Sequence, residues 1–256
     1  MGNLFDLTGK TAVAIGGNSV LGSSISKGLA AHGAKVAIVG RNLEKAEQVV
    51  KEIEADGGTA KAFQADVSSR ESVENVVKEI EEWAGGFDIL LNAPGKNSAT
   101  PFFDLDMDEW DDIMDVNLKG LVVTTQIFAK KMIEKGIKGS IINISSVSST
   151  TPLSKVFTYS VSKAGVNSMT QFLAREFAPH GIRVNAIIPG FFPAEQNRKI
   201  LSEERIQSIM NHTPMKRFGD AEELQGAAVW LSSDKASSFV TGALIRVDGG
   251  FGSMTI

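Results

Sequence analysis

Thr11-Ala12-Val13-Ala14-Ile15-Gly16-Gly17-Asn18-Ser19-Val20-Leu21-Gly22 runs from an apolar segment, through a glycine turn, into a segment with helical spacing. A short apolar run bounded by turn residues reads as a buried strand. Glycines at a strand-to-helix turn let the backbone approach a pyrophosphate, and the helix start adds amide donors and a positive dipole end. Gly16, Asn18, Ser19, Val20, Leu21 and Gly22 are therefore candidate dinucleotide contacts. Ser23, not lysine, follows Gly22, which weakens the case for a nucleoside-triphosphate loop. Glycine turns are common, so the rest of the chain has to decide.

Outward from this stretch, apolar runs alternate with amphipathic segments. Further strands are predicted at 35–39, 61–65, 88–92, 140–145, 183–188 and 243–247. Helices are predicted at 20–32, 43–55, 69–83, 107–135, 157–177, 203–210 and 221–231. Strands that are apolar on both faces and joined by helices make a parallel sheet covered on both sides. The expectation is an α/β chain: a Rossmann-type, doubly wound, seven-stranded parallel sheet with right-handed crossovers. No linker, repeat or low-complexity tract interrupts it. One domain over 1–256 is expected, with a substrate lid at about 191–212.

Composition narrows the function classes. The net charge is −4, with acids and bases interspersed, so neither a nucleic-acid stripe nor a polybasic membrane patch is present. There is no cysteine, and only three histidines, so thiol chemistry is excluded and a metal site is not expected. The first residues lack the pattern of a secretory signal, and no run reaches membrane-spanning length. A cytoplasmic protein acting on a small molecule is expected.

The second decisive stretch is Ser145-Ser146 through Tyr159-Ser160-Val161-Ser162-Lys163. Tyr159 and Lys163 are four residues apart in a helical segment, which puts them on one face. An ammonium favours the phenolate and should draw the tyrosine pKa down from about 10. Such a phenol can give a proton to a substrate oxygen or take one from it. Ser146, just past a predicted strand, can hold the same oxygen. Taken alone, this spacing occurs by chance in many helices.

Other candidates lie at strand ends. Gly40-Arg41-Asn42 carries no acid where dinucleotide sites often grip the ribose, and Arg41 offers a fork for a 2′-phosphate. That favours NADP(H) slightly over NAD(H); a solvated arginine would admit either. Asp66 can accept from an adenine amino group, and Asn92-Ala93-Pro94-Gly95 can turn beneath a cofactor, or both can be ordinary turns. Asn117 sits in a helix interior where asparagine is disfavoured, and could order a water near Lys163.

Together these residues resemble the short-chain dehydrogenase/reductase family. The resemblance runs from about Phe5 to Gly250 in a fixed order: the glycine turn, Asp66-Val67, Asn92-Ala93-x-Gly95, Asn117, Ser146, Tyr159, Lys163, Pro189-Gly190 and Val247-Asp248-Gly249-Gly250. It implies hydride transfer between a nicotinamide and a carbonyl or alcohol. Tyr159 would be the acid/base, Ser146 the orienting hydroxyl, Lys163 the ribose binder and Asn117 the water holder. Pro189, Gly190 and Phe192 would join the cofactor contacts. The family's threonine, middle glycine, alanine and threonine are replaced here by Ile15, Val20, Pro94 and Ala194. The resemblance also implies a homotetramer.

Within the family, 189–198 and 212–219 are similar to the mannonate oxidoreductase and gluconate 5-dehydrogenase branch, which implies a sugar-acid substrate. Phe191, Lys96, Asn97 and Arg198 are the substrate candidates, with Arg198 or Lys96 expected to pair a carboxylate. The competing expectations are a 3-oxoacyl thioester reductase and a non-catalytic nucleotide-binding regulator on the same fold.

Overall fold

The computed structural model describes residues 2–193 and 202–254. Its first half comprises β1 (Thr11–Ile15), α1 (Val20–Ala31), β2 (Lys35–Gly40), α2 (Leu43–Ala55), β3 (Thr59–Gln64), α3 (Arg70–Ala84) and β4 (Ile89–Asn92). Then α4 (Met107–Met114) passes through a π-helical turn (Asp115–Lys119) into α5 (Gly120–Glu134), followed by β5 (Ser140–Ile144), α6 (Phe157–Phe177) and β6 (Arg183–Pro189). The helices α7 (Glu203–His212), α8 (Gln225–Ser232) and α9 (Asp234–Ser237) lead to β7 (Leu244–Val247).

All seven strands are parallel, in the order β3-β2-β1-β4-β5-β6-β7. Every residue of β1, β5 and β6 is buried, as a sheet covered on both faces requires. Consecutive residues point to opposite layers. Ala12 and Ala14 pack with Ile25 and Leu29 of α1 and Leu231 of α8, while Val13 packs with Ile80 of α3 and Phe128 and Met132 of α5. Strand order reverses between β1 and β4, so their carboxyl ends diverge into a crevice.

The predicted helix over 107–135 is present but not uniform. Its centre widens into the π turn that carries Asn117, a local irregularity common at functional sites. The helix predicted at 221–231 begins with a 3₁₀ turn over Ala221–Leu224.

A buried polar chain ties the sheet to the helices on one face. Asn92 and Asn143 are partners in the β4–β5 register. Asn92 Nδ2 donates to Asn143 Oδ1 at 2.9 Å and to Thr125 Oγ1 of α5 at 3.1 Å. Asn143 Nδ2 donates to Thr170 Oγ1 of α6 at 2.9 Å. Replacing Asn143 by valine strands these buried partners, and such groups each cost about 1–3 kcal/mol when unpaired. Urea unfolding of Asn143→Val should therefore show a stability loss of about that size; a midpoint equal to the parent protein would contradict it.

Candidate active site

The crevice at the carboxyl ends holds two adjoining pockets that share Ser19, Ala93, Pro94 and Gly95. One extends over Gly40, Arg41, Val67 and Val116, and the other over Ser146, Tyr159, Lys163, Pro189 and Gly190.

The second pocket is the chemical end. Tyr159 and Lys163 share a face of α6, with Lys163 Nζ 5.7 Å from the centre of the phenol ring. Lys163 is buried, and its Nζ donates to Ile144 O at 2.9 Å and to Pro94 O at 3.5 Å. Burial alone lowers the Lys163 pKa to about 8. Ser146 caps the short turn after β5, where its Oγ accepts from Ser148 N at 3.2 Å and Ser148 Oγ at 3.0 Å. Burial pushes the Tyr159 phenol above its ordinary value, opposed by a hydrogen bond from Ser146. The expected downward shift is thus corrected: desolvation of the phenolate outweighs the stabilisation it receives.

Asn117 is fully buried in the π turn. Its Oδ1 accepts from Lys96 N at 2.7 Å, and its Nδ2 donates to Lys96 O at 2.8 Å and to Ser162 Oγ at 3.0 Å. The side chain clamps the segment after β4 onto α6 beside Tyr159 and Lys163. The water-holding role expected of Asn117 would fall to the second lone pair of Oδ1, since both Nδ2 hydrogens are committed to this clamp.

The first pocket suits a dinucleotide. Gly16 has φ +73°, and a Cβ there would stand 2.7 Å from the Ala93 carbonyl group, so only glycine fits. Ser19 caps α1 by accepting from Gly22 N at 3.1 Å. The amides of Val20 and Leu21 open α1 and have no intrahelical acceptor, and both residues line the cleft, which leaves donors for an anion. Asn18 Nδ2 donates to Asn42 O at 3.1 Å and its carboxamide fills the space above Gly40, where a Cβ would meet it at 2.4 Å. Arg41 is exposed at the pocket rim, with its carbonyl accepting from Gln64 Nε2 at 3.0 Å.

Several expected contacts sit elsewhere. The Asn92 side chain turns inward to Asn143, leaving Ala93 and Gly95 to line the cleft. Asn42 caps α2, accepting from Lys45 N at 2.9 Å. Asp66 Oδ1 accepts from Ser68 N at 2.9 Å, and its neighbour Val67 forms the wall. Phe192 lines a separate pocket with Met215, Arg217 and Asp248. Lys96 and Asn97 line the chemical end, but the Lys96 ammonium is paired with Asp112. Phe191 stacks edge-on against Phe251 at 5.2 Å. Arg198 and Ala194 lie outside the described residues.

Sequence reasoning passed over Asn143, Ser145, Ser162 and Thr170, which hold the site together. Polar residues inside otherwise apolar strands were the available signal for the first two. The Asn117 clamp is testable. In Asn117→Ala, hydrogen exchange at the Lys96 amide should accelerate, and stability should fall by about 1–3 kcal/mol. Unchanged exchange at Lys96 would refute the clamp.

Comparison with known proteins gives consistent matches. The family model described as enoyl-(acyl carrier protein) reductase matches residues 16–252. The uncharacterised oxidoreductase UxuB of Bacillus subtilis (strain 168) is 42% identical over 267 residues, covering 96% of each chain. A solved gluconate 5-dehydrogenase from Burkholderia cenocepacia J2315, in complex with NADP and tartrate, is 34% identical with a TM-score of 0.92 and 98% of both chains covered. A structure from Haemophilus influenza, provisionally described as a D-mannonate oxidoreductase with bound NAD, is 38% identical with a TM-score of 0.93 and 99% of both chains covered.

Proposed function

The chain belongs to the short-chain dehydrogenase/reductase family, and from that premise we propose that it interconverts a secondary alcohol and a ketone on a sugar acid or polyol. It is an oxidoreductase of the kind that acts on alcohol groups with a nicotinamide coenzyme. The observation that carries the proposal is the meeting of Ser146, Tyr159 and Lys163 in one pocket, adjoining the free amides at the start of α1.

A nicotinamide coenzyme, when bound, would supply or accept the hydride. The chain's own residues do the rest. Ser146 holds the substrate oxygen. Tyr159 donates the proton to a ketone oxygen during reduction and removes it from the alcohol during oxidation. Lys163, carried by the same helix, holds the coenzyme ribose and, when charged, stabilises the phenolate. Val20, Leu21 and Gly95 would hold the pyrophosphate side, with Gly16 and Gly22 allowing close approach. Asn117 acts as a positioning residue through Lys96 and Ser162.

Four features extend the proposal. Arg41, with Asn18 over Gly40, favours NADP(H) slightly over NAD(H). Lys96 and Asn97, which line the chemical end, give it a polar side that suits a hydroxylated substrate better than an acyl thioester. Gluconate and mannonate chemistry in similar proteins points the same way. Assembly as a homotetramer fits the fully exposed Phe239 and the unpaired outer edge of β7. Among the described residues no helix is long and apolar enough to cross a membrane.

Tyr159→Phe should lower kcat for both directions by about 10²–10⁴-fold, read by coenzyme absorbance across a panel of sugar acids and polyols. Undiminished turnover would remove Tyr159 from the mechanism. A buried phenol that resists ionisation must be deprotonated for oxidation and protonated for reduction. Oxidation should therefore rise, and reduction fall, as the pH is raised into the alkaline range. A pH-independent profile in both directions would contradict this assignment. Arg41→Ala should cut kcat/KM for NADP(H) by about tenfold or more while changing that for NAD(H) far less. Equal losses with both coenzymes would exclude a 2′-phosphate contact.

A further inference from the structure

Resting on the proposed function, we infer that Lys155 and Arg205 form the subsite that binds the substrate's carboxylate. Neither position is a candidate from the sequence; of the two cations expected to do this work, Lys96 is paired with Asp112, and Arg198 lies outside the described residues.

Lys155 is one of two non-glycine residues with positive φ among the described residues, at +65°. L-residues enter the left-handed region at a cost, and such outliers are kept where the surroundings or the function demand them. Its side chain is exposed, and no hydrogen bond or ion pair within the described chain uses its ammonium. It lies on the segment between Ser146 and Tyr159, directly before Val156, which caps α6.

Arg205 comes from a different element, α7. It stands in the first turn of α7, its backbone amide held by Ser202 Oγ at 3.2 Å. Its Nη1 donates to the hydroxyl of Ser154, the residue beside Lys155, at 2.9 Å. That contact uses one of about five guanidinium N–H donors. Glu203 and Glu204 share its turn but are not paired with it, and no acid among the described residues neutralises it. A guanidinium bonded to a neutral hydroxyl, whose neighbour in sequence carries an unpaired ammonium, offers an anion two cationic groups. The fork takes a carboxylate edge-on while the ammonium adds a point charge.

The position also constrains the substrate. Leu153 of the same loop packs against Val147, Ile188 and Phe251, and Val147 and Ile188 directly adjoin in sequence Ser146 and Pro189, which line the chemical end. Lys155 precedes Tyr159 by four residues, a span of at most about 14 Å along the chain. The substrate class that such a subsite takes is a hydroxy or keto acid.

The test compares gluconate with the neutral polyol sorbitol, using Lys155→Gln, Arg205→Gln and the double variant. It adds calorimetric titration of gluconate into the protein saturated with NADP. The ratio of kcat/KM for acid over polyol should fall by about 10–100-fold, carried by KM rather than kcat, and gluconate binding should weaken in parallel. Lys155→Gly separates fold from function: it relieves the left-handed backbone, so its melting temperature should match or exceed the parent's while gluconate affinity still drops. An unchanged ratio and unchanged gluconate affinity would overturn the subsite. Turnover of sorbitol with no gluconate binding by the parent protein would overturn it while leaving the oxidoreductase reading standing. Gluconate binding that is lost in the variants, with no turnover of any substrate, would support the subsite and sink the catalytic reading.

Discussion

The site depends on how the end of β5 is fastened to α6. Three successive residues of the strand's end each engage the helix. Asn143 donates to Thr170, the Ile144 carbonyl accepts from Lys163 Nζ, and Ser145 Oγ donates to the Lys163 carbonyl at 3.2 Å. Ser146, the next residue, faces Tyr159. The helix cannot slide or rotate without breaking this ladder. Buried hydrogen bonds are modest in net energy, but unmade ones are costly, so the ladder specifies one register. The relative position of hydroxyl and phenol is set by the strand, not by flexible loops.

A second constraint joins the two pockets. Gly16 brings the turn after β1 against the Ala93 backbone, so the sequence at the end of β4 is the floor of both pockets. That floor is in turn fixed by Asn117, which bonds both backbone groups of Lys96. A π turn makes this possible, because it displaces one residue's side chain out of the helical stripe toward the sheet end. The anion-binding helix start and the proton-transferring helix are thereby held to a shared segment. A dinucleotide laid across it would have its phosphates and its reactive end positioned by one rigid piece of chain.

Most of the fold was legible because strand burial on both faces writes itself as unbroken apolar runs, and helices as amphipathic periods. Ser146, Tyr159 and Lys163 were legible because their spacing already places two of them on one helix face. The failures share a physical cause. Asn92 reads as a turn residue from sequence, but its register partner is another asparagine, and two buried amides satisfy each other before either meets a ligand. Lys96 reads as a free cation until the fold brings α4 beside it, with Asp112 on its surface. Pairings across the fold are set by topology, which local patterns do not carry.

The electrostatics of the pair follow from the same burial. The sequence places an ammonium one turn from a phenol and suggests a depressed phenol pKa. The fold places both in a region poor in water, where each charged form is penalised. The phenol moves up from its ordinary value and the ammonium moves down to about 8, so two values that start close together move apart. Near neutral pH this leaves a protonated phenol beside a mostly charged amine. Such a phenol has a proton ready for a ketone oxygen. Its conjugate base, once formed, is stabilised by the amine only while that amine stays charged. Burial therefore widens the gap in proton affinity along the helix face, so as the pH rises the amine gives up its proton before the phenol does, and the phenol is the group left holding a proton for a substrate oxygen.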